Sequence, residues 1–127
     1  MWPLINDVET GATPEYPDLQ PQRLSLPAAT ALEECEAVVC ALKRWFVEHV
    51  DVPGGVVEAT RKTRVGFVDD LTIRVTPDGD DACVVSVRSR SRVGRWDLGQ
   101  NARSIRNFQA ALQEAVVSRL SRREAGA

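Results

Sequence analysis

The sequence has little of what metal and acid–base chemistry most often use. Its one histidine, His49, has no second histidine to form an HxxxH pair, and its three cysteines, Cys35, Cys40 and Cys83, form no CxxC. On a helix Cys35 and Cys40 would stand about 140° apart at ~100° per residue, so they cannot share a ligand face. No metal site is expected. The cysteines read as small, buried, reduced hydrophobes. The glycines match neither a P-loop nor a GxGxxG turn, so no cofactor is expected either. Aromatic residues make up only 6% of the chain, too few for the stacking platform of a nucleic-acid binder, and the sequence pI near 5.4 points the same way. No apolar run approaches the ~18–20 residues of a membrane-spanning helix. The first seven residues have no basic region, apolar core or cleavage site, so a soluble, cytoplasmic protein is expected.

What is present is ordinary globular material. The chain has 127 residues, 43% hydrophobic and 27% charged, which fits one domain. Its net charge of −2 hides a division. Residues 88–123 carry nine arginines against two acids, whereas residues 1–87 carry seven basic and fifteen acidic side chains. Such halves neutralise one another on folding, or the basic one offers an anion-binding surface.

Residues 1–24 hold Pro3, Pro14, Pro17 and Pro21 and read as an extended, acidic lead-in. From 27 to 50 the apolar residues Leu32, Cys35, Val39, Leu42 and Phe46 step by three and four, predicting one amphipathic helix. Pro27 suits its first turn, Ser25 is a capping candidate, Trp45 falls in the core, and His49 supports the dipole at its end. Val52-Pro53-Gly54-Gly55 then stops it. Strands are expected at 56–64, 68–76 and 82–92, with a short one near Gln22 to Leu26. In the second, Leu71, Ile73 and Val75 face one way and Asp70, Thr72 and Arg74 the other. Matching apolar faces sets Val75 opposite Cys83, Ile73 opposite Val85, Leu71 opposite Val87, and Asp70 opposite Arg88. Asp97 is an N-cap candidate for the last helix, with Gln100 at capping-box spacing. Leu98, Ala102, Ile105, Phe108, Leu112, Val116 and Leu120 supply its stripe. The expected fold is α+β, a two-layer sandwich with an antiparallel sheet of three or four strands and two amphipathic helices on one face. Residues 25–122 would form the single domain and 123–127 a frayed tail.

The run V-R-S-R-S-R-V-G-R-W-D-L-G-Q-N-A (87–102) is the most unusual stretch. Serines alternate with arginines and lead through a glycine turn into a helix start, the parts an anion site needs. Together with F-V-D-D-L-T-I-R-V (67–75), I-R-N-F (105–108), Glu58-Ala59-Thr60 and Tyr16-Pro17-Asp18-Leu19, it resembles the DUF1499 family, a domain family of unknown function, over about residues 14–115. The residues matching that pattern are Glu58, Asp69, Asp70, Arg74, Arg88, Ser89, Ser91, Arg92, Gly94, Asp97, Gly99 and Asn101. Ser104 stands where the pattern has arginine. The resemblance implies a small bacterial or plastid-type domain with no assigned reaction, many of whose relatives are exported or tethered to membranes.

The expected function is a non-catalytic binding or interaction module. It would recognise an anionic small molecule or acidic protein partner through Arg88, Ser89, Arg90, Ser91, Arg92, Arg95, Asp97 and Asn101. Trp2 and Trp96 are candidates for a partner interface. The competing explanation pairs these arginines with acids across the sheet. The alternative function is a small enzyme using a carboxylate, Glu58 or Asp70, with Arg74 and Arg88 on the polar sheet face. Asp69 and Asp70 are adjacent, so on a strand they face opposite ways and cannot act as a pair. Ser89 and Ser91 have no neighbouring base and no nucleophile elbow, which weighs against an enzyme. The sequence leaves the oligomeric state open.

Overall fold

A computed structural model describes residues 6–92 and 99–126. Its elements in chain order are β1 (Asp7–Glu9), β2 (Gln22–Leu24), α1 (Ala28–Ala41), β3 (Trp45–Asp51), β4 (Val56–Lys62), β5 (Val68–Pro77), β6 (Cys83–Ser91) and α2 (Gln100–Ala125). The fold is α+β, and the six strands form one antiparallel sheet in the order β1-β6-β5-β4-β3, with β2 also on β6. Three or four strands was too few. The additional strands are β1 and β3.

Strand β3 lies where the three-and-four spacing predicts the second half of the first helix. Helix α1 buries Ala31, Leu32, Cys35, Val38 and Val39 and ends at Ala41. Leu42 is already extended, and Arg44 takes a left-handed φ of 68°, which turns the chain back as a strand. Phe46 therefore belongs to β3 and is 47% exposed, whereas Trp45 is buried as expected and its ring stacks on Phe108 at 6.0 Å. His49 sits on the strand, not at a helix end. Residues 52–55 connect the β3–β4 hairpin. Gly55 is required there: its φ is 68°, and a Cβ would meet the Val75 carbonyl oxygen at 2.6 Å. Pro27, not Ser25, occupies the N-cap of α1, with no side-chain cap.

The lead-in is ordered from residue 6. Strands β1 and β2 lie end to end along β6, Asp7 to Glu9 opposite Arg90 to Arg88 and Gln22 to Leu24 opposite Val85 to Cys83. Thr10 spans the gap between them. Its backbone N–H donates to the Val87 carbonyl at 3.0 Å, and its hydroxyl accepts from the Val87 N–H at 3.1 Å. Val8, Leu19, Leu24 and Leu26 are buried in the common core.

Strands β5 and β6 alternate as expected. Leu71, Ile73, Val75, Cys83, Val85 and Val87 are buried and join one hydrophobic cluster with α1 and α2. Their register is displaced by two residues from the predicted one. Val75 faces Val85, Ile73 faces Val87, Leu71 faces Ser89, and Asp70 faces Arg90 rather than Arg88. A shift of two keeps every side chain on its face, so the apolar pattern does not distinguish the two registers. The turn decides: Pro77 pairs with Cys83, and the Asp78 N–H closes on the Ala82 carbonyl at 2.9 Å, which centres the turn on Asp80 rather than Gly79.

Helix α2 begins at Gln100, with Gly99 at the N-cap in a left-handed conformation (φ 79°) and no side-chain cap. Its buried stripe contains Ala102, Ile105, Phe108, Leu112 and Val116. The expected cap Asp97 lies outside the described residues, as does Leu98. Among the described residues no helix is long and apolar enough to cross a membrane.

Candidate functional site

Alternation along β6 divides the Arg/Ser segment between two faces of the sheet. Ser89 and Ser91 are buried on the core face, and Arg88, Arg90 and Arg92 are exposed on the polar face. The expected ligand-binding residues therefore do not form one patch. Arg95, Trp96, Asp97 and Gly94, like Trp2, lie outside the described residues.

On the core face, Asn101 in the first turn of α2 joins the two serines. The Ser89 hydroxyl donates to Asn101 Oδ1 at 2.5 Å, and Asn101 Nδ2 donates to Ser91 Oγ at 3.0 Å. Ser91 stands opposite Asp69, and Asp69 opposite Arg61. Asp69 is fully buried, with its Oδ2 3.7 Å from Arg61 Nη1. Asp69 occupies the same alternating row as Leu71, Ile73 and Val75, so its burial was readable from the strand pattern. The Ser89–Asn101–Ser91 bridge anchors the start of α2 on the sheet.

On the polar face, three rows cross the strands. His49, Glu58, Thr72, Arg88 and Glu9 stand side by side across β3, β4, β5, β6 and β1. Val56, Arg74 and Ser86 form the row on one side. Thr60, Asp70, Arg90 and Asp7 form the row on the other. A cavity of about 260 Å³ opens over the first two rows, lined by Glu9, Glu58, Thr72, Arg74, Ser86, Val87 and Arg88. It brings together Glu58, Arg74 and Arg88, three of the four residues of the enzyme alternative. Asp70 is one row away.

The arginines differ in what they hold. Arg88 donates to both Asp7 carboxylate oxygens, at 2.8 and 2.6 Å. Those hydrogen bonds keep the Asp7 carboxyl below its usual range, against the smaller opposing effect of burial, and they raise the Arg88 pKa. Arg92 grips Asp70 through Nε and Nη2, at 2.9 to 3.2 Å, and its pKa is raised in turn. Of the expected pairings, those of Arg88 and Arg92 are therefore present, and Arg95 lies outside the described residues. Among the described residues Arg74 and Arg90 make no ion pair. Glu58 accepts from the Thr72 hydroxyl at 3.2 Å.

Thr72 and Ser86 follow from the strand alternation once the cavity is known. Glu9 had no sequence signal, because a three-residue strand carries no period. Among the described residues no three or more His, Cys, Asp or Glu converge as a metal site. A larger cavity, about 400 Å³, lies between the helices and is lined mainly by Ala37, Val38, Ala41, Leu42, Ala111 and Ala115. Glu34, Glu114 and Ser118 line it as well.

The family model described as "Protein of unknown function (DUF1499)" matches residues 4–112. The chain belongs to the DUF1499 family. The match takes in the whole polar-face cavity, from Glu9 on β1 to Arg88 on β6, and the Ser89–Asn101–Ser91 bridge. A search of the curated proteins finds no match, so the DUF1499 assignment brings no reaction with it.

Proposed function

We propose that this DUF1499 domain is a non-catalytic binding module that takes a small polar molecule carrying an anionic group. It binds on the polar face of the sheet. In this reading residues 25–122 form one domain, a two-layer sandwich whose helices cover only the core face, and β1 and β2 complete the sheet.

The observation that carries the reading is the cavity over Thr72 and Ser86. Arg74 enters it with no ion partner among the described residues, beside two hydroxyls that can donate or accept. A charge-assisted hydrogen bond from such a guanidinium is the strong kind. A concave polar hollow favours a small molecule over a protein partner, and about 260 Å³ is below the ~300–1,000 Å³ of a drug-sized pocket. The ligand is therefore small. Arg88 stays on Asp7 and frames the hollow, while Arg90 and Arg92 lie outside it.

Thermal unfolding across a panel of phosphates and small carboxylates tests this. A ligand at ~100 times its Kd adds about 2.7 kcal/mol, and Arg74→Gln should remove most of that gain. No shift with any anion would overturn the reading.

The enzyme alternative draws on one observation, that Glu58, Arg74 and Arg88 line one cavity. Asp70 is held by Arg92 and lies outside the cavity, which leaves Glu58 as the one carboxylate of that alternative inside it. Prolonged incubation of a stabilising ligand, followed by NMR of the ligand, decides between the two. Unchanged ligand supports the binding module. A product that disappears with Glu58→Ala would establish the enzyme.

A further inference from the structure

From the same cavity, and resting on the binding reading above, we infer that the ligand is a zwitterion, with an ammonium group as well as its anionic group. The lining carries both signs of charge, Glu9 and Glu58 against Arg74 and Arg88. Among the described residues no ion pair joins either acid to either guanidinium. That separation is not imposed by distance along the sheet. Glu58 pairs with Thr72, and Arg74 is two residues farther along β5, a diagonal relationship of ~7–8 Å that long side chains span easily. Glu58 instead accepts from Thr72, and Arg88 turns away to Asp7.

The result is a hollow with a carboxylate on one wall, a guanidinium without an ion pair on the next row, and the Thr72 and Ser86 hydroxyls beside them. A plain anion would satisfy Arg74 and Ser86 but would meet repulsion from Glu58 and Glu9. A plain cation would have the opposite conflict. A molecule with its ammonium on Glu58 and its carboxylate on Arg74 meets complementary charge at both ends. Selectivity between such ligands then comes from the like-charge penalty as much as from the attraction.

Isothermal titration of the full chain tests this with glycine, β-alanine, 4-aminobutyrate and 6-aminohexanoate, and with butyrate and butylammonium as single-charge controls. At least one amino acid should bind about tenfold or more tighter than butyrate, as one hydrogen bond between charged groups warrants. Glu58→Gln, which keeps an acceptor for Thr72, should reduce that advantage to about twofold or less, since the amide carries no charge. Arg74→Gln should weaken butyrate and the amino acid alike. Butyrate binding as tightly as the best amino acid would overturn the zwitterion and leave the anion-binding module standing. So would an amino-acid advantage that survives the combined Glu58→Gln and Glu9→Gln replacement. Failure of every compound, inorganic phosphate included, would overturn both.

Discussion

Arg88 stands opposite Glu9 in the ladder between β1 and β6, yet its guanidinium reaches along the strand and closes on Asp7. The choice leaves Glu9 facing the cavity, within electrostatic reach of Arg88 but not paired with it, and it fastens the lead-in to the sheet. A sequence with nine arginines after residue 87 thus uses some of them to hold its acidic beginning in place.

The Asp7–Arg88 pair sets an acid-dependent component of stability. Arg88 lowers the Asp7 pKa, so the contribution is fully present above the unfolded carboxylate value of ~3.9 and is lost as pH falls through the lower native value. The side chains are 46% and 37% exposed, so the pair is worth about 0–1 kcal/mol and weakens with salt. Urea unfolding should find Asp7→Asn destabilised within that range near about pH 6 in low salt. The difference should close at a pH below the native value. A difference that persists unchanged there would contradict the assignment.

Asn101 should matter to stability and not to ligand binding. It links Ser89 and Ser91 in the buried layer under the start of α2. Asn101→Ala would strand polar groups and cost ~1–3 kcal/mol. Replacing both serines by alanine in the Asn101→Leu background should recover part of that loss, since the two hydroxyls that Asn101 satisfied are then gone. Denaturant midpoints for the single and combined variants measure both effects. A neutral Asn101→Ala would contradict the bridge.

Only one of the three thiols should react in the native protein. Burial pushes the Cys35 thiol up to about 12, with Cys83 and Glu34 adding to the rise, and burial also raises Cys83. Cys40 is exposed, contrary to the expectation of three buried cysteines. Titration with an aromatic disulfide reagent should find one fast thiol before unfolding and three after it. Loss of the fast thiol in Cys40→Ser completes the assignment, and a second fast thiol would contradict the buried placement of Cys35 or Cys83.

The parts of the fold that repeat strongly were legible. Ten residues of β5 and nine of β6 alternate over their length, enough to fix which side each residue faces. The stripe of α2 from Ala102 to Val116 was equally plain. Two features had no such redundancy. Leu42 and Phe46 continue a three-and-four spacing by coincidence, so the sequence around Trp45 satisfied a helical pattern while tertiary packing made it a strand. Strand β1 is three residues long and exists because β6 offers it an edge. The candidate site suffered from the same limit. The Arg/Ser run reads as one cluster along the chain, but a strand sends its neighbours to opposite faces, and the cavity draws residues from β1, β4, β5 and β6.

The most direct test of the account is amide chemical-shift mapping of the isotopically labelled chain with inorganic phosphate and with 4-aminobutyrate. The largest shifts should fall on Glu58, Thr72, Arg74, Ser86 and Arg88, and Arg74→Gln should abolish them. Shifts centred on Ala37 and Ala111 between the helices, or on Gln100 to Ser104 at the start of α2, would contradict it. So would the absence of any saturable shift.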